Sequence, residues 1–188
     1  MGREMMSDLE KRAREFATRI HAEANQRRKY TLAPYIVHPA AVAELVRSVP
    51  HTPEMLAAAW LHDTVEDTDV RIDDIFRLFG ESVAQYVAMV TKVSVERDGD
   101  REARFLIDLR HTALACPQAK TIKLADIIDN CRTVADFDPA FAEGYLGEKR
   151  RQVAVLTQGN TMLFQQANET IARGIEVVRV WKRGRRHF

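Results

Sequence analysis

Apolar residues recur along this chain at intervals of three and four, the spacing that lays one stripe along the face of an α-helix. Leu9, Ala13, Phe16, Ala17, Ile20 and Ala24 make the first stripe. Ala41, Val42, Leu45, Val46 and Val49 make the second, with Pro39 suited to its first turn. Thr52-Pro53-Glu54 then reads as an N-cap, a first-turn proline and a first-turn acid. It opens a strongly apolar segment that runs to His62. Ile72, Ile75, Phe76 and Phe79 predict a short helix that Gly80 closes, and Val83, Tyr86, Val87 and Val90 predict the next. Asp98-Gly99-Asp100 marks residues 93–100 as an exposed loop. A helix is expected over about 101–115, stopping at Cys116-Pro117, followed by the segment 118–134 and a turn at Asp136-Phe137-Asp138-Pro139. One long helix is expected from Glu148 to Val180, with Gly159 and Gly174 as its points of interruption. No segment alternates like a strand and no repeat divides the chain, so the prediction is an all-α bundle in one domain, residues 1–188.

Composition changes this picture little. Hydrophobic residues are 46% and charged residues 29%, a soluble globular balance, and a net charge of +1 gives no overall field to recruit nucleic acid or a membrane. Basic residues are concentrated locally, at Arg27-Arg28-Lys29, at Lys149-Arg150-Arg151 and in a tail ending Arg185-Arg186. Cys116 and Cys131 form no metal-ligand spacing, and the charged N-terminus has no apolar leader. With no bilayer-length apolar run, the expectation is a cytoplasmic protein. Assembly into a homo-oligomer is compatible with the sequence, which does not fix it.

Candidate chemistry begins where the apolar segment ends. Leu61-His62-Asp63-Thr64-Val65-Glu66-Asp67-Thr68 packs a histidine and three acids into eight positions, and Asp69 follows. Crowded carboxylates repel, and burial makes each ion costlier, so either the segment opens to solvent or a positive charge sits beside it. Read as a continuous helix, the segment puts His62 and Glu66 on one face, with His62 and Asp63 about 100° apart and able to straddle a cation. Imidazole plus carboxylate suits a borderline or hard divalent metal. Further ligands are then needed from neighbouring helices. His38, before Pro39, is one candidate; Asp126, an acid inside an apolar run, is the other, with Asn130 and Thr133 four and seven positions beyond it. Plainer readings stand beside these. His38 caps a helix, Asp126 pairs with Lys123, and the acids of 63–69 cap the helix that follows. His21, His51, His111 and His187 show no partner pattern and read as structural or surface residues.

His38, the His62-Asp63 pair and the distant Asp126 match the H…HD…D pattern of HD-domain metal-dependent phosphohydrolases. RRKYTLAPYIVHP, AAAWLHDTVEDT and KLADIIDNCRTV, at residues 27–39, 57–68 and 123–134, together resemble the hydrolase domain of RelA/SpoT homologues and the free-standing small alarmone hydrolases. The resemblance covers roughly residues 8–158. It implies an all-α HD-domain fold, a manganese ion, and removal of the 3′-pyrophosphate from guanosine tetra- or pentaphosphate. By position, His38, His62, Asp63 and Asp126 would be the metal ligands. Glu66 and Asp67 match the acidic pair that places and activates the attacking water. Arg28, Lys29, Asn130, Thr133 and Tyr145 match substrate-contacting positions. Two segments depart from the pattern: Tyr30-Thr31-Leu32-Ala33, where relatives have an acid-proline-glycine turn, and Ile127-Ile128-Asp129. Both are expected to line the nucleotide pocket and so to bear on base preference.

The residue types agree with that chemistry. A divalent ion polarises a phosphoryl oxygen and acidifies water, and a carboxylate outside the ligand set can take the proton. Arg27-Arg28-Lys29, close before His38, supplies cations for an anionic substrate, although the same run also suits a helix C-terminus. Two alternatives remain open from sequence. One is a related enzyme acting on another phosphorylated nucleotide, such as an adenosine alarmone analogue or NADPH. The other is a non-enzymatic helical regulator binding RNA or another acidic partner through the basic tail.

Overall fold

The computed structural model describes residues 6–185. Arg186, His187 and the first five residues, with the expectations that fall on them, lie outside that range. Among the described residues there is no strand, and the chain folds as eleven α-helices. They are α1 (Asp8–Glu23), α2 (Val37–Arg47), α3 (Pro53–Leu61), α4 (Thr64–Asp67), α5 (Ile72–Phe79), α6 (Glu81–Val90), α7 (Arg101–Ala113), α8 (Pro117–Cys131), α9 (Val134–Phe137), α10 (Pro139–Ala154) and α11 (Thr161–Arg185).

Two helices are buried over most of their length and sit at the centre: α3, apolar throughout, and α8, which carries Lys120, Lys123 and Asp126 into the core. Every residue of α3 from Met55 to Leu61 is buried, and so is every residue of α8 from Ala119 to Ile128. The amphipathic helices close around them: α1, α2 and α6 pack on α3, while α2, α6 and α11 pack on α8. Because α3 and α8 are the innermost elements, polar side chains at the end of α3 and inside α8 are carried into the core. That placement generates the site. No described helix is long and apolar enough to cross a membrane.

Helix ends follow the sequence where a cap residue was visible. Thr52 Oγ1 accepts from Met55 N at 3.3 Å, with Pro53 in the first turn. Gly80 closes α5 with φ +89, a conformation that favours glycine. The loop 91–100 stays largely exposed and contains one 3₁₀ turn, Glu96–Asp98.

Three expectations fail. The expected helix through His62-Asp63 breaks: α3 stops at Leu61, and α4 starts at Thr64, whose hydroxyl donates to Leu61 O at 2.7 Å. The turn at 136–139 collapses to Asp138, which accepts from Phe141 N at 3.1 Å and caps a helix starting at Pro139. The single long helix of 148–180 is two helices, parted at residues 155–160. Gly159 lies in that break, against Leu124 of α8. Gly174 interrupts nothing: a Cβ there would lie 2.8 Å from Leu146 Cδ1, so it admits α10 against α11.

Replacing Thr52 with alanine removes the α3 cap while leaving the core intact. A loss of about 1 kcal/mol, or a fall in Tm of about 2–4 °C, is expected by calorimetry. An unchanged Tm would show that Pro53 alone sets the start of α3.

Candidate metal centre

The break after α3 turns His62 inward. Its Nδ1–H donates to Ala59 O at 2.8 Å, which fixes the tautomer and leaves Nε2 as the free ring nitrogen. His38, in the first turn of α2, is fixed the same way: Nδ1 bonds Asp129 Oδ2 at 2.6 Å. The two Nε2 atoms then face each other across 3.2 Å, with both rings buried. Asp126, on α8, brings Oδ1 to 3.3 Å from His38 Nε2 and 3.8 Å from His62 Nε2. Asp63 brings Oδ2 to 3.4 Å and 3.1 Å from the same two atoms. Adjacent ligands of an octahedral ion with bonds of ~2.1 Å are about 3 Å apart, so these separations fit one divalent cation. His38, His62 and Asp126 alone offer donor atoms all within 4.8 Å of one another.

Electrostatics points the same way. Burial pushes His38 down, but hydrogen bonds to Asp126, Asp129 and Asp63 outweigh it and hold the ring up at about 11. Burial likewise lowers His62, and the Asp63 charge with bonds to Asp126 and Asp63 raises it to about 9. Asp63 and Asp126 would be raised by burial; instead His62 beside the first and Lys123 beside the second hold both well below the carboxylate range. Without metal, protons on the histidines neutralise ionised acids. A divalent cation there would carry the same two charges without two positive rings 3.2 Å apart.

Other groups support this cluster. Lys123 Nζ pairs with Asp126 Oδ2 at 2.9 Å, so the plain reading of Asp126 holds at one oxygen while the other faces the histidines. Asn130 Nδ2 donates to Asp126 Oδ1 at 2.6 Å, and Tyr35 OH donates to Asp63 Oδ2 at 2.6 Å. Tyr35 and Lys92 escaped the sequence reading, and Asp129 entered it only within the departing segment 127–129, expected at the nucleotide pocket rather than at His38. Glu66 and Asp67 sit on α4 and line a cavity of about 210 Å³ with Asp63 and Asp126. Glu66 is gripped by Lys92 through its ammonium group and through its backbone N at 3.3 Å. Asp67 is raised by burial, then by the charges of Asp63 and Glu66.

Arg28, Lys29, Asn130, Thr133 and Tyr145, the five expected substrate residues, line an adjoining hollow of about 290 Å³. Tyr35, Asn130 and Tyr145 border both spaces. Arg28 Nη1 donates to Asn130 Oδ1 at 3.0 Å, and Lys29 Nζ lies 4.4 Å from the Phe141 ring centre. Thr133 reaches the hollow from beyond α8, which ends at Cys131, so it does not share a helical face with Asp126. The two departing segments behave differently. Tyr30 and Thr31 do line the hollow, and Tyr30 stacks on Phe137 at 5.4 Å. Ile127 and Ile128 are buried in the core, and Asp129 holds His38. Among the remaining histidines, His21 is buried against Gln26, and His51 and His111 bond the backbone carbonyls of Val49 and Ala88.

A family model for the HD domain matches residues 13–153. A probable guanosine-3′,5′-bis(diphosphate) 3′-pyrophosphohydrolase of Synechocystis is 40% identical over 142 residues, 74% of this chain and 17% of that protein. A protein of Aquifex aeolicus named guanosine-3′,5′-bis(diphosphate) 3′-pyrophosphohydrolase is 37% identical over 143 residues, 76% of this chain and 19% of its own. The chain thus spans less than a fifth of the length of these curated relatives. It matches nearly all of a solved structure described as a metazoan orthologue of SpoT that hydrolyses ppGpp, with a TM-score of 0.79, 28% identity, and coverage of 91% of this chain and 98% of that one. A Listeria monocytogenes structure at 22% identity and a TM-score of 0.61, covering 74% of this chain and 99% of its own, shares the fold. With the matched region holding all four convergent donors, this chain belongs to the HD-domain family.

Proposed function

We infer that the chain is a divalent-metal-dependent phosphohydrolase that removes the 3′-pyrophosphate from guanosine tetra- or pentaphosphate, giving GDP or GTP and pyrophosphate. The observation that carries this reading is the meeting of donor atoms from His38, His62 and Asp126, with Asp63 beside both imidazoles, at the edge of a hollow lined by five residues suited to a nucleotide. The printed names of the curated relatives and the description of the metazoan structure support the substrate. We assign His38, His62, Asp63 and Asp126 as ligands and manganese as the ion, since two imidazoles and two carboxylates suit a borderline to hard metal. Residues 1–188 are taken as one hydrolase domain, with α11 packed against α8, α9 and α10 of the motif-bearing core. Two unpaired cysteines, Cys116 and Cys131, agree with a cytoplasmic setting.

When bound, the ion supplies Lewis-acid polarisation of a phosphoryl oxygen and a more acidic water. The chain's residues do the rest. Arg28 and Lys29 meet the anionic nucleotide at the hollow, and Asn130, Thr133 and Tyr145 orient its nucleoside. Water oxygen bonds to phosphorus as the P–O3′ bond breaks, and O3′ leaves with a proton. Asp67, whose carboxyl is raised by burial and by Asp63 and Glu66, is the group suited to carry a proton in that exchange. Glu66, anchored on Lys92, positions the water. A second reading keeps this chemistry on an adenosine analogue or NADPH. It is favoured by Tyr30, which stands in the hollow where relatives have a turn.

The direct test is a substrate panel with the manganese-loaded chain. Pyrophosphate release from guanosine tetraphosphate is expected, and release only from another nucleotide would transfer the assignment. His62→Ala and Asp126→Ala should lose metal retention by elemental analysis. Glu66→Ala should keep the metal and lose about 10²–10⁴ in kcat, and full turnover would remove Glu66 from the mechanism. Metal affinity should rise with pH up to about 11, more steeply below 9, because the ion displaces a proton from His62 and another from His38, whose values are about 9 and 11. The same raised values give the metal-free protein a stabilising contribution that is full below the ordinary histidine pKa and fades as pH climbs through 9 and 11. Calorimetric metal titrations across that range, with an affinity independent of pH, would contradict the ligand assignment.

A further inference from the structure

A third hollow, of about 500 Å³, opens on the far side of Tyr145. It shares Lys92, Asp108, Tyr145, Lys149 and Gln152 with the acid-lined cavity beside the histidines, so the two are continuous. Four cations line it, Lys92, Arg101, Arg104 and Lys149, against two acids, Asp108 and Glu148. Neither acid is available to the unmatched cations. Glu148 pairs with Arg101 at 3.0 Å. Asp108 accepts from Val93 N and Ser94 N at 2.9 Å and from Ser94 Oγ at 2.7 Å, which pins the loop carrying Lys92.

Two cations are thereby left over. The Arg104 side chain makes no ion pair or hydrogen bond among the described residues, and the residue is only partly exposed. Lys149 Nζ donates to the neutral Gln152 Oε1 at 3.0 Å and stands 5.1 Å from the Tyr145 ring centre, with no carboxylate beside it. Burial and then the charge of Lys123 lower its ammonium, an effect the Asp126 carboxylate offsets only in part, so an incoming anion would relieve a cost already present in the free protein. A guanidinium fork and an ammonium converging on one space, with Lys92 at its border, suit phosphate oxygens better than a carboxylate or a neutral group.

We propose that this hollow is a second anion subsite, in which Arg104 and Lys149, flanked by Lys92, hold a phosphate group of the substrate other than the one attacked beside His38 and His62. The inference rests on the phosphohydrolase reading and deepens it: the substrate carries phosphate beyond the scissile bond, placed by its own cationic lobe. That phosphate comes from one of two sources, the outer phosphate of the leaving pyrophosphate or the 5′-phosphate chain.

The test is Arg104→Gln in the full, manganese-loaded chain, with KM and kcat measured on guanosine tetraphosphate and on guanosine 3′-diphosphate, and Kd for inorganic pyrophosphate by calorimetry. KM for guanosine tetraphosphate should rise about tenfold or more, the weight of one charge-assisted contact. Arg104→Lys should recover part of the loss. If the subsite holds the leaving group, pyrophosphate binding weakens and both nucleotides suffer. If it holds the 5′ chain, the loss disappears with guanosine 3′-diphosphate and pyrophosphate binding is unchanged. Unchanged KM for both nucleotides together with unchanged pyrophosphate Kd would overturn the proposal. Should the wild-type chain turn over neither nucleotide, the functional reading fails separately. Calorimetric binding of guanosine tetraphosphate and pyrophosphate to wild type and Arg104→Gln then decides the subsite on the same criteria.

Discussion

Everything about this site follows from the cost of placing charge in a dry interior. Two imidazoles and two ionised carboxylates are gathered at the junction of α2, α3 and α8, where Asp126 is 4% exposed and His38 not at all. Such a group is tolerable only when each member is compensated. The protein compensates from outside inward. Asp129 and Ala59 O take the outer ring hydrogens, Lys123 takes one oxygen of Asp126, and Tyr35 donates to Asp63. What remains is the centre, where without metal the acids are balanced only by protons on two rings whose Nε2 atoms lie 3.2 Å apart. A cation is the one kind of species that satisfies all of them together, and the surrounding bonds hold the donors in place before it arrives.

The fold was largely legible because burial dictates helical periodicity. The segment that reads as most apolar, α3, lies at the centre with α8, and the Thr52 and Gly80 signals lie where helices start and stop. The failures share a cause: local residue type does not reveal what a residue packs against. Gly159 and Gly174 look alike in sequence, yet one falls in a chain break and the other lets α10 approach α11 inside an unbroken helix. The break after Leu61 was equally invisible. It is fixed by Thr64 returning a hydroxyl to Leu61 O, in a sequence that any helix could also accommodate.

The site was legible only in part. Residue types and spacing singled out His62, Asp63 and Asp126 as acids and histidine in costly surroundings, but left each with a plain alternative. The resemblance to RelA/SpoT-type hydrolases joined them. The supporting groups were out of reach, since Asp129 meets His38 across 91 residues of sequence and Lys92 meets Glu66 across 26. Ile127 and Ile128 show the opposite error: a departure from the family pattern expected in the pocket proved to be core packing.

Tyr145 stands at the meeting point of all three hollows, and its chemistry explains how they coexist. Burial raises its phenol well above the ordinary range, so it stays neutral at any working pH. A neutral aromatic ring therefore borders both the acidic cavity at the histidines and the cationic hollows, Arg28 and Lys29 in one and Arg104 and Lys149 in the other. A charged residue there would shift the metal centre toward one lobe, by attracting its cations or repelling the acids. A small residue would widen the passage between hollows that already share Lys92 and Lys149, and admit water to a space where dryness strengthens every charge–charge interaction. The ring thus gives the three hollows one neutral wall, beside which the acids can hold a cation and the cations can hold phosphate.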